Sequence, residues 1–263
     1  MAMNLLSFLS LRSVLLTFSL LLALPSSGLA QTLSVLFSSY TPPYVFRQGG
    51  EKGGGIVMEI VREALEGEGY TIKPVFLPMG RGYKMFAEGQ LDATTIIQKS
   101  SGLDAHYSDI FMQYHNAAIT RTDRNLHIQT LNDLQNLDLI AFQKANKYLG
   151  RDFGIMAKKN PNYVEMGNQE RQVHMLLAGR AEVVVMDESI FRFYRIKLIN
   201  EGKVSPDVDV TFHPLFSPTQ YHTAFTSAKV RDAFNRGLAN LKTSGRYSEI
   251  YHKYTQSYFE IKE

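Results

Sequence analysis

No cysteine occurs among the 263 residues. That excludes a disulfide, a thiolate metal site, a cysteine nucleophile and a lipid-anchored N-terminal cysteine, so an exported form must stand on its packed core alone. Beyond the first thirty residues there is no second apolar run of the roughly 20 residues that span a bilayer. No block of like charge marks a membrane patch. A nucleophile elbow, a phosphate-binding Gly-Lys-Ser/Thr loop and a paired-histidine metal motif are also missing. The 7 histidines are dispersed, and His213 and His222 stand too isolated to argue for a metal. Neither a cofactor nor a metal is expected.

What is present begins with an address. Arg12 supplies a positive charge, Val14 to Leu24 is mostly apolar, and Pro25 to Ala30 closes on small residues. This is the pattern of a secretory signal peptide over residues 1–30, with cleavage expected between Ala30 and Gln31. Polar Ser13, Thr17 and Ser19 interrupt the stretch and argue against a membrane anchor. Removing Arg12 with the leader leaves 27 basic residues against 25 acidic ones, too mild a balance to argue for nucleic acid. The 233 residues that follow suffice for one large domain or two small ones, and a chain of that length buries about 70–75% of its unfolded surface. A soluble periplasmic protein is expected.

Strand and helix signals then alternate. Leu33 to Phe37 reads as a strand leading into the turn-rich Ser38 to Pro43, followed by the short extended Tyr44 to Phe46 and a Gly-rich loop, Gly49 to Gly55. From Ile56 to Glu66, apolar residues fall at 56, 57, 60, 61, 64 and 65 with charges opposite, the stripe of an amphipathic helix. Strands are expected over Thr71–Leu77 and Asp92–Ile97, with a helix over Gly82–Glu88 between them. The second half repeats the device: strand Asp138–Phe142, helix Asn168–Ala178, strand Glu182–Met186, helix Glu188–Ile199. The segments Ala87 to Ile97 and Leu177 to Asp187 match closely. Each is a helix end, a glycine suited to a left-handed cap, a basic or amide residue, one intervening residue, an acid, then a strand. Two similar α/β lobes follow, with mostly parallel sheets and a ligand crevice beyond the strands' carboxyl ends. The crossings between lobes are expected near Asn116–Thr122 and between Phe212 and Tyr221. The first lobe then takes 31–120 and 213–263, the second 121–212. The tail, Ala228–Leu241 and Arg246–Tyr254, reads as two helices returning to the first lobe.

The order of these pieces resembles the periplasmic solute-binding proteins of ABC importers, in their polar amino-acid-binding branch (bacterial extracellular solute-binding proteins, family 3). It is carried by Tyr40 to Phe46, Gly55 to Arg62, Phe86 to Ala93, Tyr107 to Asp109, Leu131 to Leu137, Leu176 to Arg180 and Leu238 to Tyr254. The resemblance implies a two-lobed α/β fold of the type II-like periplasmic binding class, with two mixed, mostly parallel sheets joined by a two-strand hinge. It implies a monomer that closes on a small polar, amino-acid-like solute and delivers it to an ABC permease in the inner membrane. Sensor domains and a few enzymes, such as cyclohexadienyl dehydratases, resemble the same scaffold, and Glu188 is the acid to suspect in an enzyme.

Eight residues are candidates for the ligand. Asp187, at a second-lobe strand end, matches the family aspartate that accepts a ligand's amino group; it is equally suited to cap the helix that follows. The carboxylate side departs from the family, because Thr94 to Ala105 contains no arginine and Lys99 is its nearest cation. Arg81 sits at a helix start, which the helix dipole disfavours, so a ligand carboxylate or a salt bridge would explain it. Met79 stands where a sub-branch carries Trp. Tyr40 and Tyr44 flank the Pro42-Pro43 turn, placed to stack on a ligand or close a pocket edge. Lys144 and Asn146 follow a second-lobe strand, where relatives carry a Gly-Thr-Thr-like turn. With Asp187 present and the arginine missing, an amine-bearing ligand is expected.

Overall fold

The computed structural model describes residues 30–47 and 53–259. The expected leader, as far as Leu29, and residues 48–52 of the Gly-rich loop lie outside the described residues.

The first half runs β1 (Gln31–Phe37), α1 (Ile56–Glu66), β2 (Tyr70–Phe76), α2 (Met79–Ala87), β3 (Ala93–Ile97), β4 (His106–Tyr107) and β5 (Met112–Tyr114). Next come β6 (Asn116–Arg121), β7 (Leu139–Phe142), α3 (Ala145–Tyr148), α4 (Arg151–Lys159), β8 (Tyr163–Met166), α5 (Gln169–Leu177), β9 (Val183–Asp187), α6 (Glu188–Asn200) and β10 (Val210–His213). The chain ends with β11 (Thr219–Phe225), α7 (Ala228–Thr243) and α8 (Arg246–Phe259). α1 occupies the expected span, and its apolar stripe is buried with Met58 added.

Two sheets form. One has the order β2-β1-β3-β11-β4, with β5 paired to β11; the other has β10-β6-β9-β7-β8. In each, the strand opening the β/α unit lies second from one edge, the second strand forms that edge, the third lies on the other side at the centre, and a crossing strand comes next. β3 beside β1, and β8 and β9 beside β7, run parallel. The strands entering from the other lobe, β11 and β6, run antiparallel to their neighbours. Each sheet is therefore mixed.

The likeness of the two halves extends to single hydrogen bonds. Gly89 and Gly179 both end helices with positive φ, 73° and 72°. Each following acid ties down the first strand of its own sheet. Asp92 accepts from the Ser34 amide at 2.7 Å, and Glu182 accepts from the Asp138 amide at 2.9 Å.

One crossing lies elsewhere than expected. Asn116–Arg121 is itself a strand of the second sheet, paired with β9 from Asn116↔Asp187 to Thr120↔Val183. The chain passes over at His115 on the way out and through residues 214–218 on the return. Leu131 opens a 3-10 turn, Leu131–Leu134.

The core runs through both lobes. Phe37, Tyr44 and Ile60 of the first join Ile140, Val173 and Phe191 of the second in one buried cluster. Phe46 adds a bridge, with ring centroids 5.6 Å from Phe193 on α6 and 5.9 Å from Tyr254 on α8. Behind this, α7 lies so close to α1 that a Cβ at Gly237 would overlap the Ala64 carbonyl.

Candidate functional site

Both sheets place their reversal of strand order beside the central strand, and ligands of open α/β sheets bind outside the strands' carboxyl ends at that switch. The ends in question are Phe37, Ile97, Phe142 and Asp187. A cavity of about 520 Å³ borders one of these, the Ile97 end, and runs along the return crossing at residues 215–218 to the junction of α3 and α4, with walls from both lobes. That is within the range of small-molecule sites, about 300–1,000 Å³. Lys99, on the turn after β3, and Gln220 and His222, on β11, come from the first lobe; Tyr148, Arg151 and Asp152 come from the second.

Strained backbone brings the first-lobe wall into place. Ile96 has φ 52°, in the left-handed region, which costs a β-branched residue roughly 1–2 kcal/mol. The Tyr83 hydroxyl donates to its carbonyl at 2.9 Å and helps to hold that turn. Opposite it, the pairing of β11 with β3 shifts register between His222 and Ala224. Such irregularities re-aim side chains at strand ends, and this one presents Lys99 and His222 to the same space. The His222 Nδ1–H donates to the Ser108 carbonyl at 2.7 Å.

Lys99, Arg151 and Asp152 are exposed, and none makes a hydrogen bond or ion pair among the described residues. Two cations and one carboxylate thus line the cavity without internal partners.

Asp187 is in a different situation. It is 2% exposed and caps α6, accepting from the Ile190 amide at 3.1 Å. It also accepts from the Tyr44 hydroxyl at 3.1 Å and from the His115 amide at 2.9 Å. A carboxylate offers about four acceptor positions, and three internal donors occupy most of them. Burial dominates its titration and raises its pKa to about 7 despite those bonds. Tyr44 reaches it from the first lobe. The Tyr44 ring stacks on Tyr114 at 4.2 Å, and Tyr114 meets Tyr221 edge-on at 4.9 Å. Burial holds the Tyr44 and Tyr114 phenols well above their usual range.

The turn after β7 is also internally occupied. Lys144 takes a left-handed conformation, φ 66°, and its amide and that of Asn146 donate to Glu165 at 2.7 and 3.1 Å. The Tyr163 hydroxyl adds a third bond to Glu165 at 2.9 Å. The side chains of Lys144 and Asn146 are exposed.

Of the eight sequence candidates, Tyr44 and Asp187 meet in one buried contact between lobes, and Lys99 lies on the cavity wall. Tyr40 is exposed, with its ring 6.3 Å from Phe46. Met79 opens α2 half-buried against the cluster of Leu36 and Phe86. Arg81 is exposed without an ion-pair partner among the described residues. Sequence reasoning missed Tyr148, Arg151 and Asp152, which lie where α3 gives way to α4. The stripe Phe153, Met156 and Ala157 marks α4 in the sequence and would have located its opening residues.

Residues 33–257 match the family model of the bacterial extracellular solute-binding proteins, family 3. Among solved structures, an ancestral arginine-binding protein bound to arginine superposes with a TM-score of 0.68 at 20% identity, covering 86% of this chain and 99% of its own. A histidine kinase sensor domain with similarity to periplasmic binding proteins gives 0.67 at 18% identity, over 86% and 96%. The ancestral amino-acid-binding protein AncCDT-1, a precursor of cyclohexadienyl dehydratase, gives 0.64 at 20% identity, over 85% and 95%. The curated proteins contain no match.

Proposed function

The chain belongs to the bacterial extracellular solute-binding proteins of family 3, and from that premise we propose that it captures a small polar solute of amino-acid size by closing its two lobes and presents it to an ABC importer. The observation that carries this reading is the cavity of about 520 Å³ whose polar walls come from both lobes. A solute touching both walls stabilises the closed arrangement over any open one, and differential contact is what a ligand needs to shift such an equilibrium. The two crossings, at His115 and at residues 214–218, are short segments about which two packed bodies can rotate.

The apolar leader of the sequence supports export to the periplasm before capture. Binding without turnover fits the acids at hand. Glu188, the suspect in an enzyme, lies 3.9 Å from Arg192 one helical turn on, and Asp187 is sealed behind Tyr44. A monomer suffices, since both walls of the cavity come from one chain.

Calorimetry combined with small-angle scattering tests the proposal. A solute that binds with measurable heat should reduce the radius of gyration at saturation. Binding that leaves the scattering profile unchanged would refute capture by closure.

A further inference from the structure

Resting on the reading that the two lobes open and close, we infer that Tyr44 and Asp187 form a proton-controlled latch, which holds the solute-free protein closed while Asp187 is protonated and releases it when Asp187 ionises. The contact spans the lobes. Tyr44 belongs to the first, is fully buried, and donates to Asp187 at 3.1 Å. Asp187 ends β9 in the second and is 2% exposed. Its other two donors travel with the second lobe. One is the Ile190 amide on α6, and the other is the His115 amide, which leads into β6 of the same sheet. Opening therefore removes the Tyr44 bond alone and admits water to the carboxyl.

What surrounds Asp187 makes that step depend on its charge. From the first lobe it meets phenols: Tyr44, Tyr114 of β5 and Tyr221 of β11 all feel its charge, and burial keeps all three protonated far above neutrality. The charged groups of the neighbouring elements are engaged with one another or exposed. On α6, Glu188 pairs with Arg192 at 3.9 Å, and Glu170 of α5 holds Lys197 at 2.7 Å. On α8, Arg246 and Lys253 are held by Glu63 and Glu59 of α1. The side chains of Lys144, His115 and His252 are exposed, and His222 is bonded to the Ser108 carbonyl. A carboxylate closed in this way loses water and gains no counter-ion, and burial raises its pKa to about 7. In the open form it keeps its two amides and regains water, so its pKa falls back to the ordinary carboxylate range.

The closed form thus binds the proton more tightly. Closure is favoured in full below the open-form pKa and weakens about tenfold for each pH unit as pH rises toward about 7. Protonation itself leaves the contact intact. The neutral acid donates to the Tyr44 oxygen, and Tyr44 turns its own proton toward the Tyr251 hydroxyl, 3.4 Å away.

Small-angle scattering of the solute-free protein at pH 5, 6, 7 and 8 tests this, with far-UV circular dichroism on the same samples. The radius of gyration should rise between pH 6 and 8 at constant ellipticity. Asp187→Asn keeps the helix cap and cannot ionise, so it should hold its pH 5 radius throughout. Tyr44→Phe keeps the ring and loses the bond, so it should expand at lower pH than the parent. The latch is overturned if the parent's radius does not change with pH, if Asp187→Asn expands as the parent does, if Tyr44→Phe expands at the parent's pH, or if ellipticity falls with the expansion. With no solute present, its failure stays distinct from that of capture. A radius insensitive to pH refutes the latch and leaves closure to be read in the solute titration, whereas opening that Asp187→Asn abolishes supports the latch even where solute binding causes no contraction.

Discussion

Replacing Tyr44 with phenylalanine removes one hydroxyl and keeps the ring that stacks on Tyr114 at 4.2 Å. The lost group donates across the lobes to Asp187, a carboxyl with no cation among its perturbing neighbours and a pKa raised by burial from 3.8 to about 7. The sign follows from which form of Asp187 the hydroxyl favours. A donor stabilises the carboxylate more than the neutral acid, so its removal raises the Asp187 pKa further. A carboxyl with a raised folded pKa contributes its full stability below the unfolded value and loses it as pH rises toward the folded value. In the parent that loss runs from about 3.8 to about 7; in Tyr44→Phe it continues to higher pH. At pH 5 the variant lacks a bond between neutral partners, worth about 1 kcal/mol, and at pH 8 one to a charged partner, worth about 1.5–3 kcal/mol. The stability gap should therefore widen by about 1 kcal/mol between those pH values. Urea denaturation of the solute-free proteins at pH 5, 6, 7 and 8 measures it. His213, whose pKa burial lowers, titrates in both proteins and cancels in the difference. A gap that is constant with pH, or absent, would show that the Tyr44 hydroxyl does not rest on an ionising Asp187 in solution.

Two further substitutions probe the frame and the cavity. Gly237→Ala forces a methyl group against the Ala64 carbonyl where α7 crosses α1. Although alanine favours a helix by about 1 kcal/mol, overpacking of about 1–3 kcal/mol should win, lowering Tm by about 2–4 °C for each kcal/mol of net loss; an unchanged Tm would mean the helices separate freely. Tyr83→Phe frees the Ile96 carbonyl and should cost about 1 kcal/mol of stability together with a several-fold loss of solute affinity, since Lys99 is then less firmly placed. Calorimetry showing the parent's affinity would mean the hydroxyl does not position that wall.

The parts of the fold that were legible were those whose burial is one-sided. α1 announces itself because Ile56, Val57, Ile60, Val61, Ala64 and Leu65 form one stripe against charged residues. The repeated strand-helix units could be read for the same reason, and Gly89 and Gly179 mark their helix ends because a left-handed cap excludes most side chains. β6 was assigned to the wrong side of the hinge. It is buried from Asn116 to Thr120, lying between β9 and β10, and a strand covered on both faces shows no alternation to say which sheet it joins. On either side of α4, whose stripe could have been read, α3 and β8 stayed unread because α3 is 4 residues long and β8 is only half-covered. Neither length gives a period to count.

The site was legible as a location and illegible as chemistry, and the two halves of the repeat show why. Aligned on Gly89 and Gly179, the end of β3 at Ile96 and Ile97 corresponds to the end of β9 at Met186 and Asp187. In the second lobe the strand runs straight into α6, and Asp187 is spent as its cap and as the acceptor for Tyr44, 143 residues away. In the first lobe the chain turns through the left-handed Ile96 into a 3-10 turn, Lys99–Ser101, that opens on the cavity. Local sequence at the two ends shows residue type alone, in which an aspartate reads as a ligand group and an isoleucine as core. What sets the two ends apart in the structure is the supply of internal partners. Asp187 is a buried carboxylate that accepts from three internal donors, whereas Lys99 is exposed with no hydrogen bond or ion pair among the described residues.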